Sequence, residues 1–144
     1  MRRSSILLVA LFISTAAIAA EGEAQKRALT QLEGKWRVVK MTDGERDTTE
    51  RDSNIIIAFK GNAIVVSHKD SEPVHGTITI DPEATPAQMD ITLNVGEEKV
   101  AIQAVYEIKD DVFRLCHAQG ANGKRPGKLE ATKATIVAEF KREK

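Results

Sequence analysis

The sequence has 144 residues, and its 21 basic and 21 acidic side chains give a formal net charge of zero at pH 7. This balance argues against non-specific nucleic-acid binding, which needs an excess of Lys and Arg, so we expect no nucleic-acid partner. After position 20, Ile and Val supply 20 of the 46 apolar residues and Leu supplies five, which favours strands because these side chains branch at Cβ.

Residues 1–20 have the pattern of a secretory signal peptide. Arg2 and Arg3 form its positive end, Ile6–Ile13 is a short apolar core, and cleavage sites end at Ala19 or at Ala20. The alternative is an N-terminal membrane anchor, but the apolar run is shorter than the roughly 20 residues that span a bilayer. We therefore expect residues 21–144 to form a single domain, periplasmic or secreted, with no membrane span after cleavage.

A short helix followed by eight strands is predicted for this mature chain. Glu21–Leu32 has apolar residues at helical spacing, whereas Met89–Val95 and Val100–Ile108 alternate apolar and polar residues with a period of two. The same criteria give strands at Trp36–Met41, Asn54–Lys60, Ala63–Lys69, Val74–Ile80, Met89–Val95, Val100–Ile108, Val112–His117 and Ile136–Arg142. Short connections favour an all-β, antiparallel, up-and-down barrel, because closure removes both unpaired edges.

Loop lengths separate the two ends of this barrel. Strand order places the long loops Thr42–Ser53 and Ala118–Lys133 at one end, which we call the open end. The tight turns Gly61-Asn62 and Asp110-Asp111 lie at the other, the closed end, together with both chain termini. Trp36 begins the first strand and Arg142 finishes the last, so barrel closure predicts a cation–π contact between them at the closed end.

The motif Gly34-Lys35-Trp36, with a late Arg such as Arg142, resembles the opening and closing residues of lipocalin-like barrels. More closely, the chain resembles an uncharacterised planctomycete family of secreted domains with a lipocalin-like fold. The matching segments include Leu32–Val39, Phe59–Asn62, Gly76-Thr77, Ile80–Pro82, Met89–Thr92, Tyr106–Ile108, Leu115-Cys116, Gly123–Pro126 and Lys141-Arg142. Leu129 stands where that family commonly has an aromatic residue. The resemblance implies a fold and export but no established activity.

Four side chains form the one suggestive chemical cluster, near the open end: His68, His75, Cys116 and His117. Strand parity points His68 and His117 inward but His75 and Cys116 outward, so we expect neither a metal site nor a catalytic dyad. With one cysteine the chain forms no internal disulfide, and Cys116 is expected to be a buried small apolar residue rather than a link between chains or a reactive thiol.

A basic loop at the same end carries Lys124 and Arg125. These residues either hold an anionic group of a ligand or brace the loop by bonding carbonyls, and bracing is favoured because a long ordered loop needs such contacts.

The expected function is non-catalytic, because no motif of a hydrolase, metalloprotease or nucleotide-binding site occurs. We expect no cofactor, and a monomer that binds a small apolar or amphipathic ligand at its open end. The alternative is a filled barrel that serves as a protein-interaction or structural module of the cell envelope, with an envelope protein as partner. A cavity of about 300 Å³ would favour the ligand, and a packed interior the alternative.

Overall fold

The computed structural model describes residues 15–120 and 123–144. The charged end and the apolar core of the predicted signal peptide therefore lie outside the described residues, and export stays a prediction. Helix α1 spans Thr15–Leu32, so it begins six residues before the predicted helix and runs through both predicted cleavage sites. The longer helix follows from the alanines at positions 16, 17, 19 and 20, because alanine has the highest helix propensity.

Eight antiparallel strands close into a barrel, which confirms the predicted fold. Each strand pairs with the next along the chain, and pairing of the first barrel strand with the last closes the sheet. The nine strands are β1 Gly34–Asp43, β2 Arg46–Asp47, β3 Ile56–Lys60, β4 Ala63–Ser67, β5 Val74–Asp81, β6 Ala87–Val95, β7 Glu98–Lys109, β8 Val112–Ala118 and β9 Thr135–Arg142. Only β2 is not a barrel strand, because it pairs with β1 alone.

Strand β1 leaves its neighbour β3 after four paired residues. The β1–β3 pairing ends at Arg37, and the register with β9 shifts between Val38 and Lys40. A shift of this kind is a β-bulge, which bends a strand. The chain fills the resulting gap with β2 and with the short helix α2, Thr49–Asp52. The predicted loop Thr42–Ser53 thus contains two short elements that hydrophobic periodicity did not reveal.

The barrel interior is filled by side chains from every barrel strand. The inward-facing core residues, none more than 6% exposed, are Trp36, Val38, Ile57, Phe59, Ile64, Ile78, Ile80, Met89, Ile91, Ala104, Tyr106, Phe113, Leu115, Ala138 and Phe140. Leu32 and Ala28 of α1 join this cluster, so the helix packs against the closed end. Side chains, rather than a central lumen, therefore occupy this part of the barrel.

Phe113 lies at the centre of the packed interior. Its ring centroid is 5.7 Å from those of Trp36 and Phe59, 6.2 Å from Tyr106 and 5.4 Å from Phe140. Aromatic pairs at these separations add about 0.5–1.5 kcal/mol each beyond the area that they bury.

A second, smaller cluster lies on the outside of the barrel. Val105, Cys116 and Val137 face outward from three neighbouring strands, and Leu129 of the long loop after β8 packs on them. The loop therefore lies against the barrel wall, because these apolar residues must be covered.

Candidate functional site

Trp36 and Arg142 meet at the closed end, as the order of the strands predicts. Trp36 pairs with Arg142 across β1 and β9, and the guanidinium carbon lies 4.2 Å from the centroid of the indole ring. Trp36 is fully buried, and the Arg142 side chain is one-third exposed. The contact joins the first and last strands of the barrel.

The same two residues bind the C-terminus of helix α1. The indole Nε1 of Trp36 donates to the carbonyl oxygen of Leu32 at 2.7 Å. Arg142 donates through Nη2 to the carbonyl of Gln31 at 2.7 Å and through Nη1 to that of Glu33. The last carbonyls of a helix lack partners within the helix and carry partial negative charge. Sequence analysis missed this role of Arg142, because nothing in the pattern showed where α1 packs.

Gly34 makes the close connection between α1 and β1 possible. Its φ is +114°, in the region that favours glycine, and a Cβ built at this position would lie 3.2 Å from Arg142 Nη1. The three residues assigned to barrel closure, Gly34, Trp36 and Arg142, thus form one contiguous structure. Its role is structural, because helix, first strand and last strand are joined there.

The inward face is less tightly covered towards the open end. Aliphatic residues that pack on the core but keep partial exposure to solvent include Met41, Ile55, Val66, Leu93 and Ile102. His117 is also half-buried, and it shares the parity of Phe113 and Leu115 on β8. The open end therefore presents a shallow apolar layer above a packed interior.

Cys116 and His117 face opposite sides of β8, but β4 ends before His68, so the inward direction predicted for His68 does not apply. His68 lies just beyond β4 and His75 is on β5, and both are exposed, whereas His117 is inward on β8. His68 Nδ1 lies 2.8 Å from the carbonyl oxygen of Lys69, and His117 Nδ1 lies 2.9 Å from that of Ala118. Across residues 15–120 and 123–144, no group of three or more His, Cys, Asp or Glu side chains could hold a metal ion.

Cys116 is a packed apolar residue of the outer cluster. It is fully buried, and its thiol lies 3.8 Å from the carbonyl oxygen of Glu130, to which it donates. Burial raises the pKa of the Cys116 thiol, which lowers the fraction of reactive thiolate at neutral pH. The sequence placed Cys116 at the rim of the open end, but the loop encloses it on the side of the barrel.

Arg125 braces the long loop on the barrel wall. Its Nη1 donates to the carbonyl of Ala104 at 2.7 Å and lies 3.5 Å from that of Met89, and its Nη2 contacts the Asp90 carboxylate. Arg125 thus holds the loop against the barrel wall, and the carbonyls that it contacts belong to β6 and β7 rather than to the loop. Lys124 is exposed.

The loop Thr42–Ser53, which carries the acidic residues Asp43, Glu45, Asp47, Glu50 and Asp52, makes mostly local contacts. Arg51 donates two hydrogen bonds, each of 2.9 Å, to the buried carboxylate of Asp52. The same Arg51 bonds hold the pKa of the Asp52 carboxyl below its usual value. Between the two long loops, Gln119 donates to Asp43 at 2.5 Å. This contact is a hydrogen bond from an amide to a carboxylate, and it joins the end of β1 to the loop after β8.

No protein-family model, curated protein or solved structure matches this chain. The resemblance to the planctomycete family therefore stays a prediction. Neither helix within the described ranges combines the length and the apolar character that crossing a bilayer requires.

Proposed function

We propose that this chain is a non-catalytic interaction module: a filled barrel that binds a partner through its outer surface and its open end. The observation that carries this proposal is the packing around Phe113, which contacts four other aromatic rings at centroid distances of 5.4–6.2 Å. An eight-strand barrel has room either for interior side chains or for one small ligand, and here side chains from all eight strands occupy the interior. The signal peptide predicts that the module works outside the cytoplasm.

The grooves around the barrel support a surface role. One of about 290 Å³ lies at the closed end, lined by Gln25 and Thr79–Glu83. Another of about 90 Å³ lies on the wall, lined by residues that include Lys40, Arg114 and Glu139. Both mix charged, polar and apolar groups, whereas a site for an apolar molecule is lined predominantly by apolar side chains.

The test uses Trp36, the only tryptophan, as a buried fluorescent donor. Titration with cis-parinaric acid, an amphipathic fluorescent fatty acid, is expected to give no saturable energy transfer in the wild-type protein. Phe113→Ala removes the central ring and opens an apolar cavity that can accept a molecule of the size of benzene, so benzene should raise the thermal unfolding midpoint of this variant but not that of the wild type. Leu115→Ala serves the same purpose if Phe113→Ala does not fold by circular dichroism. Saturable transfer in the wild type would refute the filled barrel.

A second candidate is the small apolar or amphipathic ligand, favoured by the partly exposed aliphatic layer at the open end. A ligand seated there would contact Ile102 and Leu93. Ile102→Glu places a charge in this layer and would abolish probe binding, whereas Ala101→Glu on the outward face serves as a matched control. Saturable wild-type binding that Ile102→Glu removes would establish this second function.

A further inference from the structure

The strand pairing of this barrel is interrupted on one side of β1, of β5 and of β7, and the chain covers the first two of these interruptions. On the β3 side of β1, the backbone N–H of Thr48 donates to the carbonyl of Met41 at 2.9 Å, and the Met41 N–H donates to the Thr49 hydroxyl at 3.0 Å. These contacts come from α2 and the residue before it. They replace the hydrogen bonds that β3 no longer makes.

The second interruption lies on the β4 side of β5, beyond Thr77. There the Ile78 N–H donates to the carbonyl of Asn62 at 2.8 Å, and Gln25 of α1 donates through Nε2 to the carbonyl of Ile80 at 3.3 Å. Helix α1 therefore covers this edge at the closed end. Native proteins commonly cover or blunt unpaired edges in such ways.

The third interruption is the open-end half of β7, Glu98–Gln103, which we call the β7 edge. Pairing with β6 continues to Glu98, but pairing with β8 ends at Ala104, opposite His117. Beyond β8, the Gln119 N–H donates to the carbonyl of Ala134, towards β9 and away from β7. In the part of the chain that the structure describes, no strand pairs with the β7 edge on the side away from β6.

The turns at both ends of β7 show which backbone groups this edge presents. Two-residue hairpins make Val95↔Glu98 and Lys109↔Val112 the first hydrogen-bonded pairs of their ladders. Even-numbered residues of β7 therefore bond to β6, and odd-numbered residues face the β8 side. The N–H and C=O groups of Lys99 and Ala101 thus point away from β6, along an edge about 20 Å long, whereas the carbonyl of Gln103 lies at the last β7–β8 pair and faces the N–H of Ala118.

We propose that the β7 edge binds an extended peptide segment of a partner protein, which adds to the barrel as a further strand. This inference rests on the proposed function and names its partner class. Added strands gain affinity from main-chain hydrogen bonds and specificity from alternate side chains.

Side chains on the two faces of the edge define the peptide. Val100 and Ile102 are half-buried on the inward face, and Lys99 is exposed on the outward face. The peptide that fits carries apolar residues at every second position and an acidic residue on the other face, opposite Lys99. Lysine on an open edge discourages pairing between identical chains, so the occupant is a partner peptide rather than a second copy.

The test compares Ala101→Pro with Ala101→Val. Ala101 is exposed at the centre of the edge, and its N–H points away from β6. Proline removes this donor and is tolerated on edge strands, so the β6–β7 ladder stays intact. Valine is matched in position, keeps the donor and favours strands. Circular dichroism and urea denaturation check that both variants fold.

A phage-displayed library of random twelve-residue peptides, selected against the wild-type protein, is the probe. We expect enrichment of sequences with alternating apolar residues, which bind Ala101→Val as tightly as the wild type and Ala101→Pro at least tenfold more weakly. If the selected peptides bind Ala101→Pro as tightly as the wild type, the proposal that the β7 edge binds the peptide is refuted. The proposal that the chain is an interaction module is not. If no peptide is enriched, the proposal that the β7 edge binds a peptide is refuted as well. A dimer in light scattering that Ala101→Pro dissociates would assign the edge to a second copy. Energy transfer to cis-parinaric acid remains a separate test of the filled barrel.

Discussion

Replacing Arg142 with alanine removes the contacts that hold helix α1 and both terminal strands together. The variant loses the cation–π contact with Trp36 and two hydrogen bonds to carbonyls at the end of α1. It also loses a 3.7 Å ion pair with Asp111, whose side chain is 84% exposed. We expect the variant to fold into the same barrel with a lower free energy of unfolding.

The size of this loss follows from the environment of each contact. Trp36 is buried and Arg142 is one-third exposed, which places the cation–π contact near the middle of its range, at about 1 kcal/mol. The carbonyls of Gln31 and Glu33 can be rehydrated in the variant, so each hydrogen bond contributes only about 0.5 kcal/mol. The exposed ion pair adds little. The expected loss is therefore about 2 kcal/mol in total.

Urea denaturation followed by far-ultraviolet circular dichroism measures this loss. For a domain of this size, about 2 kcal/mol corresponds to a fall of about 1 M in the urea midpoint. Asp111→Asn is the control and is expected to change the midpoint by less than about 0.3 M, because exposed ion pairs contribute little. A midpoint for Arg142→Ala within about 0.2 M of the wild type would refute the closure argument. Comparison with Trp36→Phe and the double variant then gives the coupling between the two side chains.

Four further outcomes follow from the structure. Cys116 is buried and its thiol pKa is raised, so iodoacetamide is expected to modify it in urea but only very slowly in the folded protein. Arg125→Ala should lower stability by about 1–2 kcal/mol through loss of the Ala104 and Asp90 contacts, and urea midpoints that match the wild type would contradict this. Gly76→Ala would place a Cβ 2.1 Å from the Thr92 carbonyl oxygen, so thermal unfolding should report a loss of about 2 kcal/mol or more. The pKa of the Asp52 carboxyl is lowered by Arg51, so its stabilisation is complete above the unfolded pKa of about 3.9 and is lost as pH falls through the lower folded value. In urea titrations at several acidic pH values, Asp52→Asn should reduce the pH dependence in that range, and an unchanged slope would exclude this role.

The barrel was predictable because its signals are local. Alternation in Met89–Val95 and Val100–Ile108 identifies strands with one buried face, and the observed strands extend these ranges by only one or two residues at an end. The turn Asp110-Asp111 adopts positive φ at both residues, as a two-residue hairpin requires. By contrast, β2 and α2 have two and four residues, too few for either periodicity to register.

The site was predictable only where strand parity and closure determine it. The Trp36–Arg142 contact follows from the pairing of the first and last strands, and the opposite directions of Cys116 and His117 follow from strand parity. The path of the loop after β8 did not follow, because Leu129 and Arg125 belong to no periodic segment. One signal for that path was present in the sequence. Strand parity places three apolar residues on the outside of the barrel, Val105, Cys116 and Val137, and another segment must pack on them to exclude water.

A filled interior changes where specificity can reside in this molecule. The packed aromatic rings around Phe113 stabilise the barrel, and a substitution there costs stability whether or not it changes function. Selection for binding therefore acts more freely on the loops and on the β7 edge, where Ala101 and Lys99 are exposed and pack against little else. Ala101→Pro and Phe113→Ala separate these roles experimentally, because the first should impair peptide binding at nearly unchanged stability. The second should lower stability by about 3–5 kcal/mol while leaving peptide binding by the folded fraction intact.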